Sequence, residues 1–293
     1  MTYEEQYQAY LSRAQSALSA GADLFLNARS RVAEAARYSL LSGGKRVRAV
    51  LCLAVCELLQ GDGAKAESFA AAVEMLHCYS LIHDDLPCMD NDDYRRGRPS
   101  CHKAYGEDTA LLAGDALLTA AFEVLANAPG DAARNAAAAA ALAGAAGTNG
   151  MIYGQELDLF YETAPATHEQ LLQVHKNKTG MLINAAVQLG AVSAGACGRQ
   201  RDILAAYAFD VGLVFQIVDD VLDVTATSEA LGKPAGSDGE NGKTTFVTLF
   251  GVERSRRMAQ EITQRACSAL EAEYGERAAF LCELARSLVT RSQ

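Results

Sequence analysis

Prolines, tryptophans and basic residues are scarce in this sequence of 293 residues. It has five prolines and no tryptophan, and its 26 lysines and arginines are outnumbered by 36 aspartates and glutamates, so the net charge is −10. Such an acidic balance argues against the broad basic surface that nucleic-acid binding requires. The composition therefore predicts no nucleic-acid partner, and any bound phosphate must be held by a local group of cations.

Signatures of disulfides, zinc sites and membrane spans are also missing. The eight cysteines include no Cys-x-x-Cys pair and most lie in apolar helical sequence, which favours free thiols in a reducing compartment. The longest run of small apolar residues, 136–147, is shorter than the roughly 20 residues that span a bilayer. The polar, acidic N-terminus does not resemble a secretory signal. We expect a cytoplasmic protein with no membrane span.

Apolar residues recur at helical spacing almost throughout, whereas the alternation typical of strands is absent. The pattern predicts an all-α protein with polar loops at 86–106 and 225–243. No linker rich in proline or serine divides the chain, so we expect one domain over residues 1–293. The predicted helices are 3–20, 31–41, 45–59, 65–85, 107–127, 131–161 with a break, 168–176, 179–195, 200–224 and two more after 244.

The segment IHDDLPCMDNDDYRRGR, residues 82–98, places five aspartates just before three arginines. Two charges about 4 Å apart interact by roughly 4 kcal/mol at an effective dielectric near 20, so these carboxylates need a counter-charge. Pro87 is expected to end the preceding helix just after Asp84 and Asp85. A loop folding back would bring Asp90 to the same ion as Asp84. Such hard oxygen ligands predict Mg²⁺.

A second acidic segment, FQIVDDVLDV, lies at residues 215–224. On a helix its polar residues Gln216, Asp219, Asp220 and Asp223 form one stripe, and apolar residues cover much of the remainder. An ordinary solvated face is the alternative interpretation. Because uncompensated carboxylates on a buried surface are costly, a divalent cation is the favoured one.

The basic residues are placed as anion ligands would be. Lys45 and Arg48 follow Gly43-Gly44 in the first turn of a predicted helix, where free N–H groups point outward. Arg95 and Arg96 follow the first aspartates, and Lys178 precedes Thr179 at a predicted helix kink. Scattered surface charge would explain any one of these cations. Together with two acidic segments, they predict a phosphate site.

Six motifs occur in the order found in the trans-isoprenyl diphosphate synthases: GGKRVR, DDLPCMD with RRGR, GDALL, GQELD, KTG and FQIVDDVLD. Over nearly its whole length the chain resembles that family, and within it the bacterial short-chain farnesyl diphosphate synthases. The resemblance implies a helical bundle around a central active-site cavity, a homodimer and a prenyltransferase. The enzyme would join isopentenyl diphosphate to dimethylallyl and then geranyl diphosphate, releasing farnesyl diphosphate and pyrophosphate.

The resemblance also implies a role for each matching residue. Metal ions, three of them in all, would be bound by Asp84 and Asp90 from one wall and by Asp219 from the other, with Asp85 and Asp223 in support. Isopentenyl diphosphate would be held by Lys45, Arg48, His77 and Arg96, and the allylic diphosphate by Arg95, Lys178 and Lys233. Thr179 and Gln216 would face the allylic cation. Lys243 matches a lid lysine of the family, and Val247 stands where the family usually has proline.

Product length is predicted from the two residues a turn before Asp84. Tyr79 is bulky enough to form the floor beneath the growing chain, with Ser80 beside it, and this favours the C15 product. Geranyl or geranylgeranyl diphosphate synthase remains an alternative. A terpene cyclase would not need Lys45, Arg48 and Arg96, and a silent prenyl-diphosphate-binding subunit would usually have lost an aspartate motif.

Three polar residues inside apolar helical sequence have two open interpretations. They are Asp115, Gln155 and Asp158. They either line the cavity behind the metal and substrate ligands or are satisfied polar groups of the core.

Overall fold

The computed structural model describes residues 1–225 and 243–291, and it confirms the all-α prediction. These residues form fourteen α-helices. The first seven are α1 (Tyr3–Phe25), α2 (Arg31–Leu40), α3 (Val47–Leu58), α4 (Gly63–Asp84), α5 (Cys101–Tyr105), α6 (Glu107–Ala126) and α7 (Ala132–Ala146). The others are α8 (Met151–Glu162), α9 (His168–His175), α10 (Met181–Ala194), α11 (Gly198–Thr225), α12 (Phe246–Phe250), α13 (Val252–Tyr274) and α14 (Ala279–Thr290).

Most predicted boundaries agree with the structure to within a few residues, and the exceptions have local causes. Helix α3 begins at Val47 rather than at 45, because Arg46 has a φ of 48°, outside the helical region. The predicted loop 86–106 contains a two-stranded antiparallel hairpin, β1 (Tyr94–Arg95) and β2 (Arg98–Pro99), followed by the short helix α5. Strands of two residues are too short to show any alternation, which is why periodicity missed them.

The predicted kink near Lys178 is confirmed. A π-helical turn, Lys176–Gly180, joins α9 to α10. After residue 244 the described chain has three α-helices rather than two, because the five-residue α12 precedes α13 and α14. Thr245 caps α12, accepting a hydrogen bond from the Thr248 backbone N–H.

The described residues group into two compact units, so one domain over 1–293 stays a prediction. The first unit comprises Met1–Leu142 with Leu189–Ala196. Its centre is α4, which packs against α1, α3 and α6 and is buried along most of its length. Because apolar side chains surround α4 on nearly all sides, the sequence places it in the core. Its C-terminal end carries the first aspartate motif.

The second unit comprises Ala143–Gln188 and the described residues from Cys197 onward. Helix α11 is its longest and packs against α13, α14, α12 and the π-helical turn. The Tyr207 hydroxyl donates to the Leu281 carbonyl at 2.7 Å, which ties α11 to α14 deep in the unit. The second aspartate motif lies near the C-terminal end of α11.

All eight cysteines are free thiols, as predicted; six are buried, while Cys88 and Cys197 are exposed. In the described part of the chain, one helix, α6, is long and apolar enough to cross a membrane by length and composition alone, and half of it is buried within the protein. A single such helix is weak evidence for a span, because an ordinary core helix has the same composition.

Candidate active site

The loop after α4 folds back on the helix end, as expected. The Asp90 backbone N–H donates to the Asp84 carbonyl at 2.8 Å, so the two backbones meet although six residues separate them. The Asp84 side chain is half-buried and Asp90 is exposed. Two carboxylates at one helix end, open to solvent, suit Mg²⁺, which usually takes one or two carboxylates, several waters and substrate phosphates.

Arg95 makes contacts that its sequence position did not reveal. Its guanidinium lies across the buried Asp85 carboxylate, with Nε 3.0 Å from Oδ1, and its Nη2 lies 3.1 Å from Asp92. The neighbouring Asp93 pairs with Lys103 at 2.8 Å. Part of the crowded negative charge is therefore balanced by the protein itself. Arg95 holds the acidic segment in shape, and its predicted role at the allylic diphosphate remains untested.

A buried ion pair between Arg46 and Glu74 fixes the GGKRVR turn to α4. The Arg46 side chain bonds the Leu40 carbonyl, and its Nη1 lies 3.4 Å from Glu74 of α4. Glu74 also accepts the Ala49 backbone N–H at 3.1 Å. Both side chains of the pair are 2% exposed. Because Arg46 is paired with Glu74, the cations of this motif that could bind a ligand are Lys45 and Arg48.

Three of the four residues predicted for isopentenyl diphosphate form one electropositive group in the first unit. Arg96 donates to the Gly43 carbonyl at 2.6 Å, so it lies on the glycine turn. Burial, together with the charge of Arg96, lowers the pKa of Arg48 to about 10, although Glu74 acts to raise it. Among the described residues the buried Arg48 Nε has no hydrogen-bond acceptor. Such an unsatisfied donor beside a second guanidinium is suited to an anion.

His77 belongs to the same group, and Lys45 differs from its members in being exposed. Burial and then the charge of Arg48 hold the pKa of His77 well below its ordinary value, so the imidazole is neutral at pH 7. It would therefore contribute a hydrogen bond rather than a charge to a bound diphosphate. The Lys45 side chain is exposed, and its carbonyl accepts the Tyr7 hydroxyl at 2.6 Å.

Tyr79, the predicted floor residue, is held firmly. It is 6% exposed, and its ring meets the His83 ring edge-on at 5.6 Å. His83 in turn contacts the Leu111 carbonyl of α6 at 3.0 Å and fills the space that a side chain at Gly114 would need. Ser80 turns its hydroxyl back to the His77 carbonyl at 2.9 Å. The α4–α6 packing thus fixes the Tyr79 ring.

In the second unit, two glycines bring the π-helical turn between α8 and α11. A Cβ at Gly154 of α8 would overlap the Lys178 backbone, and one at Gly212 of α11 would lie 3.0 Å from the Gly180 Cα. The turn therefore contacts both helices at backbone distance. Because a π-helical turn interrupts the regular ladder, such turns are frequent at functional sites. This one presents Lys178 and Thr179.

The side chains of the π-helical turn are already engaged. The Thr179 hydroxyl donates to the Gln216 Oε1 at 2.6 Å, and Gln216 Nε2 lies 3.5 Å from Asp219. Lys178 Nζ lies 2.6 Å from Asp158 Oδ2, and Lys243 Nζ lies 2.9 Å from Oδ1 of the same carboxylate. Asp158 is therefore the shared partner of Lys178 and of the predicted lid lysine, Lys243, which favours the first of its two open interpretations.

Asp115 and Gln155, the other two residues with two possible interpretations, differ from Asp158. Asp115 is exposed, with its carboxylate 4.0 Å from His83 Nε2, so it is not a core polar group. The Gln155 Nε2 is buried and meets no acceptor in residues 1–225 and 243–291.

The carboxylates of α11 are balanced in different ways. Asp219 pairs with Arg291, whose guanidinium also lies 4.2 Å from the centre of the Phe215 ring. Asp220 accepts the Phe246 backbone N–H at 2.7 Å and so fixes the start of α12. Asp223 is 2% exposed. Asp220 and Asp223 are therefore buried, whereas the Asp219 side chain is 43% exposed, and protein groups balance part of the negative charge of the stripe.

Metal binding by protein side chains alone is not indicated. In the described ranges no three His, Cys, Asp or Glu side chains cluster closely enough to hold an ion. Hard carboxylate oxygens at both motifs nevertheless fit Mg²⁺ that completes its shell with water and phosphate. Lys233 lies outside the described residues. Val247 is half-buried inside α12, which forms despite the missing proline.

Four contributors were missed by sequence reasoning: Arg46, Glu74, His175 and Arg291. His175 stacks on Phe246 at 5.6 Å. Burial lowers the pKa of His175 to about 4. Arg46 lies within the GGKRVR motif, but no local signal marks the other three residues, because their partners lie far away in the sequence.

Comparisons with known proteins agree with this geometry. The family model for polyprenyl synthetases matches residues 29–279. The chain is 46% identical to geranylgeranyl pyrophosphate synthase 3, chloroplastic, of Arabidopsis thaliana, over 97% of this chain and 81% of that one. It is 48% identical to the chloroplastic geranylgeranyl pyrophosphate synthase of Capsicum annuum, over 88% and 71%.

Solved structures give the same result. A geranyltransferase from Helicobacter pylori, complexed with magnesium and isoprenyl diphosphate, has a TM-score of 0.89 at 35% identity over 99% of both chains. An FPP/GFPP synthase from Zymomonas mobilis has a TM-score of 0.87 at 36% identity, over 99% of this chain and 100% of that one. The fold and site thus define an all-α prenyltransferase. The chain belongs to the polyprenyl synthetase family.

Proposed function

We propose that the protein condenses isopentenyl diphosphate with dimethylallyl and then geranyl diphosphate to make farnesyl diphosphate. The observation that carries this proposal is the electropositive group of Arg48, His77 and Arg96, with its unsatisfied buried Arg48 Nε. The second unit carries its own pair of lysines, Lys178 and Lys243, so the chain has cations for two diphosphates. A prenyl transfer needs both, whereas a cyclisation needs one.

The reaction breaks the allylic C–O bond, forms a C–C bond to the isopentenyl double bond and releases a proton. Magnesium, when bound at the aspartate motifs, would supply positive charge for the leaving diphosphate. Lys178 and Lys243 would donate to the oxygens of that diphosphate. Thr179 and Gln216, joined by their hydrogen bond, would present oxygen atoms to the allylic carbon where positive charge develops.

The farnesyl product rests on Tyr79. Its buried ring, braced by His83 against α6, would stop the chain one turn below Asp84. The names of the plant relatives favour geranylgeranyl diphosphate instead, which makes the C20 product the main alternative. A terpene cyclase does not account for the first cation group. A silent subunit does not account for two complete aspartate motifs.

Pyrophosphate release tests the proposal. The purified protein is incubated with Mg²⁺ and either both substrates, the allylic diphosphate alone or isopentenyl diphosphate alone. We expect rapid release only with both substrates. Release from the allylic diphosphate alone would support a cyclase, and no release under any condition would reject the enzyme proposal.

Assembly, location and the number of metal ions remain proposals. We propose a cytoplasmic homodimer that uses three Mg²⁺ ions, while the plant relatives are named as chloroplastic. Light scattering of the purified protein gives its mass in solution, and fluorescence microscopy of a tagged chain in its own cell gives its location. A titration calorimetry experiment with Mg²⁺ and pyrophosphate gives the ion count.

A further inference from the structure

We propose that Asp158 is a positioning residue, a shared counter-ion that holds the ammonium groups of Lys178 and Lys243 together where one diphosphate can bind both. This inference rests on the proposed function, because it concerns the same diphosphate. It gives a role in the reaction to Asp158 of the GQELD motif, whose carboxylate contacts the two lysines.

The geometry brings both lysines to one carboxylate. Lys178 Nζ lies 2.6 Å from Asp158 Oδ2, and Lys243 Nζ lies 2.9 Å from Oδ1 and 3.1 Å from Oδ2. The Asp158 side chain is 9% exposed, and those of the two lysines are 26% and 28% exposed. The carboxylate is thus nearly buried, while both lysine side chains are partly exposed.

Each partner is fixed by its own backbone. Asp158 is one helical turn after Gly154, the residue whose missing side chain lets α8 touch the Lys178 backbone. Lys243 directly precedes Thr244, whose hydroxyl accepts the Ala166 backbone N–H at 3.0 Å, and α12 is fixed by the Phe246–Asp220 contact. The charged groups of Asp158, Lys178 and Lys243 therefore meet because α8, the π-helical turn and the segment before α12 are each held in place.

The charges suit a bound diphosphate. Two ammonium groups close together would repel each other, and the single carboxylate between them offsets that repulsion while leaving the group positive. Each ammonium has three N–H donors, so one lysine can contact Asp158 and a phosphate oxygen at the same time. The two lysines outweigh burial and hold the pKa of Asp158 below its ordinary value, so the carboxylate persists at neutral pH.

The alternative is that Asp158 only stabilises the fold. A structural role predicts that its removal lowers the free energy of unfolding and leaves the folded fraction with normal affinity and kinetics. A positioning role predicts a specific loss of diphosphate binding in folded protein. The test must therefore measure ligand affinity and lysine reactivity beside stability.

The experiment compares full-length Asp158→Asn, Asp158→Glu and a control, Glu162→Gln. Glu162 lies one turn further along α8, is largely exposed and is 3.9 Å from Lys243, so the control removes the same charge without the shared contact. Binding of inorganic pyrophosphate with Mg²⁺ is measured by calorimetry. Acylation of Lys178 and Lys243 is followed by mass spectrometry, and folding is checked by thermal unfolding.

For Asp158→Asn we expect pyrophosphate to bind about tenfold more weakly, equivalent to about 1.4 kcal/mol. We also expect kcat to fall more than KM changes, and Lys178 to acylate faster because its ammonium is no longer held. Asp158→Glu keeps the charge and should recover part of the affinity. Glu162→Gln should match the wild type within about twofold, the effect of an exposed charge pair.

Unchanged or tighter pyrophosphate binding by folded Asp158→Asn would overturn the inference. If that variant does not fold, Asp158→Glu decides instead: wild-type affinity and wild-type Lys178 reactivity in that variant would contradict a positioning role. The two proposals fail separately. A wild-type protein that forms no prenyl product rejects the proposed function, whereas an active wild type with an unaffected Asp158→Asn variant rejects only the role of Asp158.

Discussion

The Thr179 hydroxyl donates a 2.6 Å hydrogen bond to the side-chain oxygen of Gln216, which joins the π-helical turn to the helix that carries the second aspartate motif. The two residues are 37 positions apart in the chain. Gln216 also reaches towards Asp219, so one amide couples a lysine-bearing turn to a carboxylate that is predicted to bind metal.

Thr179→Val should lower kcat by roughly tenfold and lower the free energy of unfolding by about 1 kcal/mol. Valine has the shape of threonine but leaves the Gln216 oxygen without its donor, a loss of about 1 kcal/mol or more at a partly buried site. Steady-state kinetics and urea unfolding measure the two effects. Thr163→Val, at the exposed end of α8, is the control and should leave kcat unchanged. Equal effects of the two substitutions would contradict the role given to Thr179.

Gly154→Ala should disable the protein more than any ordinary glycine-to-alanine change. Its Cβ would overlap the Lys178 backbone and push the π-helical turn away from α8. We expect lower stability by about 2 kcal/mol, the cost of a forced backbone shift, together with loss of activity. Gly144→Ala in α7 meets no atom within 4 Å in the described structure and should stabilise by about 0.5–1 kcal/mol. Thermal unfolding tests the contrast: the midpoint temperature should fall for Gly154→Ala and rise for Gly144→Ala.

Arg46→Met should lower the free energy of unfolding by about 3 kcal/mol, because it leaves the Glu74 carboxylate buried without its charged partner. The matched control is Arg13→Gln, which removes an ion pair that is shorter, at 2.8 Å, but about one-third exposed. That change should cost less than about 1 kcal/mol. Urea denaturation of both variants measures the difference. If both substitutions lowered the free energy of unfolding equally, burial would not determine the contribution of these ion pairs to stability.

His175 should make the protein less stable in mild acid. Its pKa is about 4 in the folded protein, against an ordinary value near 6.5, so the unfolded chain takes up the proton first. Its stabilising contribution is complete above pH 6.5 and is lost as the pH falls towards 4, by up to about 3 kcal/mol. His175→Phe keeps the stacking on Phe246 without a titrating group. Its unfolding free energy should decline less between pH 6.5 and 4 than that of the wild type, and parallel curves would refute this assignment.

Tyr79→Ala should lengthen the product. Removing the ring opens space one turn below Asp84, so we expect a shift from C15 towards C20 and longer diphosphates. Ser255→Ala, which removes a hydroxyl bonded to the Gly251 carbonyl at the start of α13, is the control and should not change the product. Chromatography of the products after phosphatase treatment distinguishes the lengths. An unchanged product from Tyr79→Ala would show that this ring is not the floor.

The helices were largely predictable because their signal is local and repetitive. The apolar spacing that defines α4 and α11, and the glycines and prolines around them, are visible in short windows of sequence. The fold-back that brings Asp90 to Asp84 was likewise predicted, and the Asp90 N–H to Asp84 carbonyl bond agrees with it. The start of α3 was wrong by two residues, because nothing in the sequence marks Arg46 as left-handed.

Long-range partners could not be predicted in the same way. Arg291 meets Asp219 across 72 positions and Lys243 meets Asp158 across 85. A lone arginine near the C-terminus and an aspartate within a helix have many equally plausible partners until the helices pack. The sequence thus indicated which residue types carry the chemistry, while the structure identified the residues that hold them in place.

The most direct test is mass spectrometry of the diphosphates formed from isopentenyl and dimethylallyl diphosphates with Mg²⁺. The account predicts a linear C15 diphosphate as the main product, with geranyl diphosphate as a transient C10 intermediate. Finding no diphosphate longer than the C5 substrates, in a protein shown to be folded, would contradict it.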